Sequence, residues 1–406
     1  MSYFKTSYDT LNEVFNLGKY LAEALKSVPQ NQEKNLVVRI VYGVLEKNVE
    51  LEYYLSVLAE KKPQKAVRTI LKIALYCLKY MDSIPNYAVC DNAVRLTKEV
   101  GKSSVAPFVN ATLKRFIREG VKLPSDKIER LSVKTSTPLW LTKKMVKQYK
   151  EDAESILSYT PSTKGHVRVN SLKTTYDKVE KELISSKTEY EKSERGFYVS
   201  DSDTVRKLFS SGDITYQSES SMIIAETVAE SKPRKILDVC AAPGGKSIYI
   251  YELTKGEVVS QDLHEHRVKL IQSYAERMGA KIKAKRADGL TYNPDYKERF
   301  DTVLLDAPCS GIGTRYTKPD VLLNREEKDI PEFAKTQQDL LNISKQYVKM
   351  GGFIVYSTCT LLYEENERVV ERFLGLNPEF RLVYHEKRVP GKNSRDGFYV
   401  AKLERV

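Results

Sequence analysis

The stretch ILDVCAAPGGKS, Ile236 to Ser247, decides how this chain is read. A short apolar run ends in a proline and a glycine pair, and a helix-compatible segment follows. This is the signature of a strand, a tight turn and a helix whose first amides face a ligand. Two familiar phosphate loops are excluded at once. A P-loop needs glycine five positions before Gly245, where this chain has Cys240, and a GxGxxG fingerprint needs three glycines where only Gly244 and Gly245 stand. What remains is a nucleoside-binding α/β turn.

Outward from that turn the same rhythm repeats. KILDVCA, EVVSQDL, KIKAKRAD, FDTVLLDA and GGFIVYST, between Lys235 and Thr358, are strand candidates separated by helical text. Such alternation predicts a doubly wound parallel sheet, which binds ligands beyond the carboxyl ends of its strands. Asp262 ends the second strand candidate, placed to hold a ribose diol, and Asp288 ends the third, placed to meet an adenine. Either acid alone reads as a solvated loop residue. In register with the glycine turn they form a set.

Two later strands each end in a cysteine, in DAPCSG (Cys309) and STCT (Cys359). If the strands are neighbours, about 4.8 Å apart, both thiols face one pocket beside Asp306. One chemistry needs a thiol beside a nucleoside-type cofactor and an acid. Carbon 5 of cytosine is too electron-poor to attack a methyl sulfonium, but thiolate addition at carbon 6 makes it an enamine that can. Asp306 would hydrogen-bond or protonate the ring, and Lys246 would help to keep a thiolate charged. The residues by themselves do not rank the two thiols.

Upstream the text differs. To about Gly120 the spacing is helical, with Val105, Phe108, Val109, Thr112, Leu113 and Phe116 on one face and breaks at Pro29, Pro63, Pro85 and Gly101. Lys98, Lys102, Lys114, Arg115 and Arg118 gather toward its end, as a solvated face or an RNA-contacting one. Between about Ser125 and Tyr216, HVRVNSLK and GFYVSD flank the helical YDKVEKELISSK, which predicts a small α+β region. In 406 residues with 41% hydrophobic and 30% charged side chains there is material for two or three domains, and global disorder is excluded. The formal charge of +12 points to a polyanionic partner. The N-terminal text lacks a signal-like or membrane-length apolar run, so a cytoplasmic protein without membrane association is expected. Five cysteines without a CxxC pair suit neither a disulfide framework nor zinc, and Cys77 and Cys90 read as core. No metal is expected.

CAAPGGK at Cys240 to Lys246, DAPCSG at Asp306 to Gly311 and STC at Ser357 to Cys359 closely resemble the RsmB (Sun/Fmu) family of ribosomal RNA cytosine-5 methyltransferases. IPNYAVCDNAVRLTKE and APFVNATLKR resemble the NusB-type helical domain fused to these enzymes, and RVNSLK resembles their RNA-contacting motif. The resemblance implies a multidomain chain: an all-α NusB-like RNA-binding domain at residues 1–125, a small α+β connecting subdomain at 126–216, and an α/β Rossmann-like methyltransferase domain at 217–406. It implies S-adenosyl-L-methionine as cofactor, held by Cys240, Ala241, Ala242, Pro243, Gly244, Gly245, Lys246, Asp262, Asp288 and Asp306. It assigns Cys359 as nucleophile and Cys309 to product release, with Asp306 and Lys246 assisting, and Arg168 and Asn170 to RNA. The implied substrate is small-subunit (16S) ribosomal RNA, naked or in an assembling particle, and the implied enzyme is a monomer. GTRYTKPD departs from the more basic run usual after the cysteine loop. Two other readings stand beside this one. An RNA-binding assembly factor with a lapsed catalytic half would not need Cys309, Cys359, Asp306 and the glycine turn together. A DNA cytosine methyltransferase would not explain the second cysteine or the helical domain.

Overall fold

The computed structural model describes residues 2–30, 32–162 and 164–406. The chain divides into two compact units, Met1–Tyr159 with Arg315–Glu327, and Thr160–Thr314 with Lys328–Val406. Among the described residues no helix is long and apolar enough to cross a membrane.

The first unit is helical. Its principal helices are Tyr3–Leu17, Lys34–Glu46, Asn48–Leu58, Lys65–Tyr80, Asn86–Glu99 and Ala106–Glu119, and the predicted proline and glycine breaks fall between them. One apolar cluster, including Leu11, Ile40, Leu51, Ile70, Ala74, Val89, Val109 and Leu113, fills its centre, with Cys77 inside it and Cys90 packed against it. The boundary expected at 125 lies just past the last of these helices, and the compact unit runs further, to Tyr159. Helices Lys127–Lys134, Leu139–Tyr149 and Ala153–Leu157 belong to this unit. The reason is local: the Ser136 hydroxyl accepts the Val49 and Glu50 amides at 3.0 and 3.3 Å, satisfying donors that the helix Asn48–Leu58 leaves open.

The segment Arg315–Glu327, which the sequence reading placed in the catalytic domain, also belongs here. The buried Arg315 guanidinium donates to Thr137 Oγ1 at 2.6 Å and to the Thr135 carbonyl at 3.0 Å. Tyr316 donates to the Ile156 carbonyl at 2.7 Å, and Asp320 accepts the Leu21 amide at 3.0 Å.

The second unit contains two sheets. Strands β1 (Gly165–Val169), β2 (Tyr190–Ser193), β3 (Gly196–Val199) and β4 (Ile214–Tyr216) form an antiparallel sheet in the order β2-β3-β1-β4. Its core joins Val167, Phe197 and Ile214 to Val179, Leu183, Val205 and Leu208 of helices Tyr176–Ser185 and Asp203–Ser211. This is the α+β region expected from the sequence, but starting near residue 160.

The larger sheet is built from β5 (Lys235–Asp238), β6 (Glu257–Asp262), β7 (Lys283–Arg286), β8 (Phe300–Asp306), β9 (Val348–Thr358), β10 (Phe380–Arg388) and β11 (Phe398–Arg405). The order is β10-β11-β9-β8-β5-β6-β7. All five expected strands are present and parallel, whereas β11 pairs antiparallel with both β9 and β10. The sheet is therefore mixed, because the chain returns through a hairpin at its end rather than through another crossover helix. Strand order reverses between β5 and β8, the switch point where open α/β sheets bind ligands.

RVNSLK, which the resemblance assigns to RNA, is packed inside the second unit. Arg168 is 1% exposed and Asn170 fully buried. Arg168 donates to Gln217 Oε1 at 2.7 Å and to the buried Glu252 carboxylate of helix Gly245–Thr254, with its guanidinium 4.5 Å from the Tyr249 ring. Asn170 donates to the Gly212 and Met278 carbonyls at 2.7 and 2.8 Å. Both side chains are consumed in joining the small sheet to the large one. Arg168→Ala, which strands the Glu252 charge, is expected to cost about 3–5 kcal/mol in urea unfolding. Arg168→Met with Glu252→Leu should recover most of the loss; an Arg168→Ala protein of unchanged stability would refute this structural role.

Candidate active site

The carboxyl ends of five strands bring the site together. Beyond β5 the chain turns through Cys240, Ala241, Ala242, Pro243 and Gly244 into the helix Gly245–Thr254, with a cis Ala242–Pro243 peptide. Gly244 has φ +108°, and a Cβ there would sit 3.2 Å from Ile271 Cγ2, so the turn demands glycine both by conformation and by space. The Ala241 amide donates to the Gln261 carbonyl at 2.9 Å, fixing the turn against β6. Burial raises the Cys240 thiol, which stays neutral.

Asp262 is 5% exposed at the end of β6 and accepts the Ala242 amide at 3.3 Å and the His264 amide at 3.2 Å. Asp288 lies two residues beyond Arg286, the β7 partner of Asp262, and is exposed, accepting the Leu290 amide at 2.9 Å. At the end of β8, Asp306 Oδ2 accepts Lys246 Nζ at 2.7 Å, and its Oδ1 accepts Ser357 Oγ at 2.8 Å. Burial works against the Lys246 ammonium, but Asp306, helped by Cys359 and Asp238, holds its pKa above the usual lysine value. The expected acids and the lysine thus share one sheet edge with the glycine turn.

The two sulfurs meet. Cys309 Sγ and Cys359 Sγ are 3.2 Å apart, and the Cys359 amide donates to Cys309 Sγ at 3.3 Å. Hydrogen bonding to Cys359, together with burial, drives the Cys309 thiol well above its ordinary pKa. The loop after Cys309 is pinned by the Gly313 amide donating to the Cys359 carbonyl at 2.9 Å and by the Gly397 amide donating to the Gly313 carbonyl at 2.8 Å. A Cβ on Gly313 would lie 2.1 Å from the Gly397 oxygen, so the backbones touch there.

One residue that the sequence reading did not single out ties these loops together. Glu365, fully buried, accepts the Ser310 amide at 2.8 Å, Ser310 Oγ at 2.5 Å and Thr360 Oγ1 at 3.0 Å. Gln337 of helix Asp329–Ser344 donates to it at 3.2 Å and to the Pro308 carbonyl at 3.0 Å. Ser310 follows Cys309 and Thr360 follows Cys359, so one carboxylate grips the neighbour of each thiol. Glu365 lies within YEEN, a polar run whose local pattern reads as solvent-facing; no periodicity marks it as buried.

A glycine turn and flanking acids at the switch point, in a sheet closed by an antiparallel hairpin, define a Rossmann-like methyltransferase. Residues 225–404 match the family described as 16S rRNA methyltransferase RsmB/F, and residues 5–118 match the NusB family. The chain is 36% identical over 386 residues to the probable ribosomal RNA small subunit methyltransferase B of Bacillus subtilis (strain 168), covering 89% of this chain and 85% of that one. It is 28% identical to the ribosomal RNA small subunit methyltransferase B of Escherichia coli O127:H6, over 97% and 96% of the two chains. The crystal structure of PH0851 is similar over 100% of this chain and 99% of that one, with a TM-score of 0.85 and 25% identity. The chain belongs to the RsmB family of methyltransferases.

Two outcomes test the geometry. Glu365→Gln removes the charge and replaces one accepting oxygen by a donor, so the Ser310 amide, the two hydroxyls and the Gln337 amide must rearrange around a single accepting oxygen. Methyl transfer is expected to fall at least about tenfold, with about 1–3 kcal/mol of stability lost and cofactor affinity retained. Wild-type turnover by this variant would remove the clamp from the mechanism. Burial also pushes Asp238 up to about 7 from its ordinary 3.8, despite the Ser247 hydroxyl donating to it at 2.5 Å. Between those values the folded state holds a proton that the unfolded chain has lost, so this group's contribution makes stability decline as pH rises from about 4 to 7. Thermal unfolding across that window should show a smaller decline for Asp238→Asn, and an identical pH slope would contradict the assignment.

Proposed function

We propose that this protein methylates carbon 5 of a cytosine in small-subunit ribosomal RNA through a covalent bond from Cys359 to carbon 6 of the base. The observation that carries the reading is the thiol pair, 3.2 Å apart at the ends of neighbouring parallel strands, beside the Lys246–Asp306 ion pair.

The residues at the switch point fit S-adenosyl-L-methionine. The Gly244 turn offers backbone at a helix N-terminus without a side chain in the way, and Asp262 and Asp288 stand at the ends of successive strands to accept ribose hydroxyls and an adenine amine. When bound, this cofactor supplies an electrophilic methyl group.

The chain's own residues do the rest. The Cys359 thiolate forms a bond to carbon 6, and the displaced electron pair moves through the ring, where nitrogen 3 takes up a proton from solvent and carbon 5 becomes nucleophilic. Asp306, paired with Lys246, accepts the hydrogen bond from that new N–H. The Lys246 ammonium places a positive charge toward the Cys359 sulfur and favours its anionic form. After methyl transfer water takes the proton from carbon 5, the freed pair restores the carbon 5–carbon 6 double bond, the carbon 6–sulfur bond breaks with its electron pair returning to Cys359, and nitrogen 3 gives its proton back to solvent. Cys309, within hydrogen-bond reach of the departing sulfur, assists that release.

The two thiols are separated by substitution. Cys359→Ala should abolish methyl transfer and form no covalent RNA adduct, with cofactor binding in calorimetry intact. Cys309→Ala should complete addition and transfer but stall elimination, accumulating a denaturation-resistant protein–RNA band that carries labelled methyl. A band from Cys359→Ala and none from Cys309→Ala would reverse the roles. Near-normal turnover by both would end the covalent mechanism.

A further inference from the structure

Helices Asn86–Glu99 and Ala106–Glu119 of the helical unit leave between them a groove of about 520 Å³. Tyr87 stands in it 78% exposed and Ile117 44% exposed, an aromatic ring and a branched side chain left in water. Around them are Asn86, Asn110, Asp91 and Lys114. Among the described residues none of these four side chains makes a hydrogen bond or ion pair within the protein. Lys114 lines the groove together with the half-buried Cys90 thiol.

The charges on these two helices are divided unequally. From Asn86 to Glu119 there are six basic and three acidic residues. Glu99 is taken by Arg95 at 3.7 Å, and Glu119 by Arg115 and Arg118 at 3.1 and 2.5 Å. Lys98, Lys102 and Lys114 are left without a carboxylate partner among the described residues, spread over both helices and the turn between them. That distribution suits a run of phosphates better than one acidic point.

We propose that this groove binds one unpaired nucleotide of the RNA substrate. The base stacks on Tyr87 against Ile117, its edge is read by the Asn86 and Asn110 amides, and the adjoining phosphate lies at Lys114. Asp91 repels phosphate and accepts from an exocyclic amine or a 2′-hydroxyl, so it sets which end of the nucleotide faces Lys114. A stacking ring with two amides and an ammonium is the set that single-stranded RNA requires, since an unstacked base exposes both its face and its hydrogen-bonding edge. The proposal rests on the reading of the protein as an RNA methyltransferase and adds to it a binding site in the helical unit.

The test uses the full-length protein, with a short single-stranded RNA of mixed sequence and naked small-subunit ribosomal RNA as probes in fluorescence anisotropy. Tyr87→Ala should weaken binding about tenfold, as loss of one stacked base does, while Tyr87→Phe keeps the ring and binds as wild type. Lys114→Gln should weaken binding and reduce the slope of log affinity against log salt by about one. Both residues are exposed, and circular dichroism melts should not move. In turnover, Tyr87→Ala should raise KM for RNA and leave kcat at saturating RNA unchanged. Wild-type affinity for Tyr87→Ala in an enzyme that methylates RNA would overturn the groove. An unchanged RNA affinity with lost binding of a ribosomal protein would overturn it equally, by giving the groove to a protein. Absence of methylation by the unaltered enzyme would strike the functional reading itself, a result distinguishable from either.

Discussion

The register between β8 and β9 is the constraint on which the site depends. Asp306 pairs with Ser357, and from that rung the two strands leave the sheet side by side. Three residues on stands Cys309 and two on stands Cys359, so both loops start from one rung, and the one-residue difference is taken up where they meet, the Cys359 amide donating to Cys309 Sγ at 3.3 Å. The Ala307 amide donating to the Ser357 carbonyl at 2.8 Å continues the ladder one step past the strand and prevents the loops from splaying. A one-residue slip would send the side chains of one strand to the opposite face and separate the thiols. The glycine turn enters through β5 on the other side of β8, which is why acid, lysine and thiols converge there.

Around that register the site manages its buried charges by pairing each with donors or an opposite charge. Asp306 is shared between an ammonium and a hydroxyl, and Glu365 is surrounded by donors from Ser310, Thr360 and Gln337. Asn366 adds a further brace, accepting Thr358 Oγ1 at 2.5 Å and donating to the Thr360 carbonyl at 3.0 Å, so that both neighbours of Cys359 are held. The loop carrying Cys359 is thereby braced on both sides, the condition for a side chain to stay aligned without reorganisation.

Much of this was legible in the sequence because it is written in local patterns. The five parallel strands, the glycine turn, the acids at their ends and the pair of cysteines each show themselves within a dozen residues. What was not legible depends on partners far along the chain. Glu365 meets Ser310 across 55 positions, and in its own neighbourhood it is one acid among several. Arg168 and Asn170 carry only an RNA assignment from the resemblance, and nothing near them in the sequence announces that Glu252 and the Met278 carbonyl will meet them. The compact helical unit runs on past the change in composition near Ser125, because composition does not mark where packing ends. The antiparallel hairpin that closes the sheet carries no signal that distinguishes its direction from that of the strands before it.

The thirteen residues from Arg315 to Glu327 have a consequence for how such a protein is inherited and engineered. They follow the Cys309 loop in the chain yet are built into the helical unit, where Arg315 and Asp320 satisfy groups of that unit. The two units are therefore not beads on a string that recombination can cut once and exchange. A donor of a new helical module would have to bring a matching thirteen-residue insert to a site that begins 156 positions beyond Tyr159, and a catalytic fragment cloned from residue 160 onward would carry a buried arginine with its acceptors removed. Helical and catalytic halves are bound to descend together, their divergence constrained by a segment that each must accommodate.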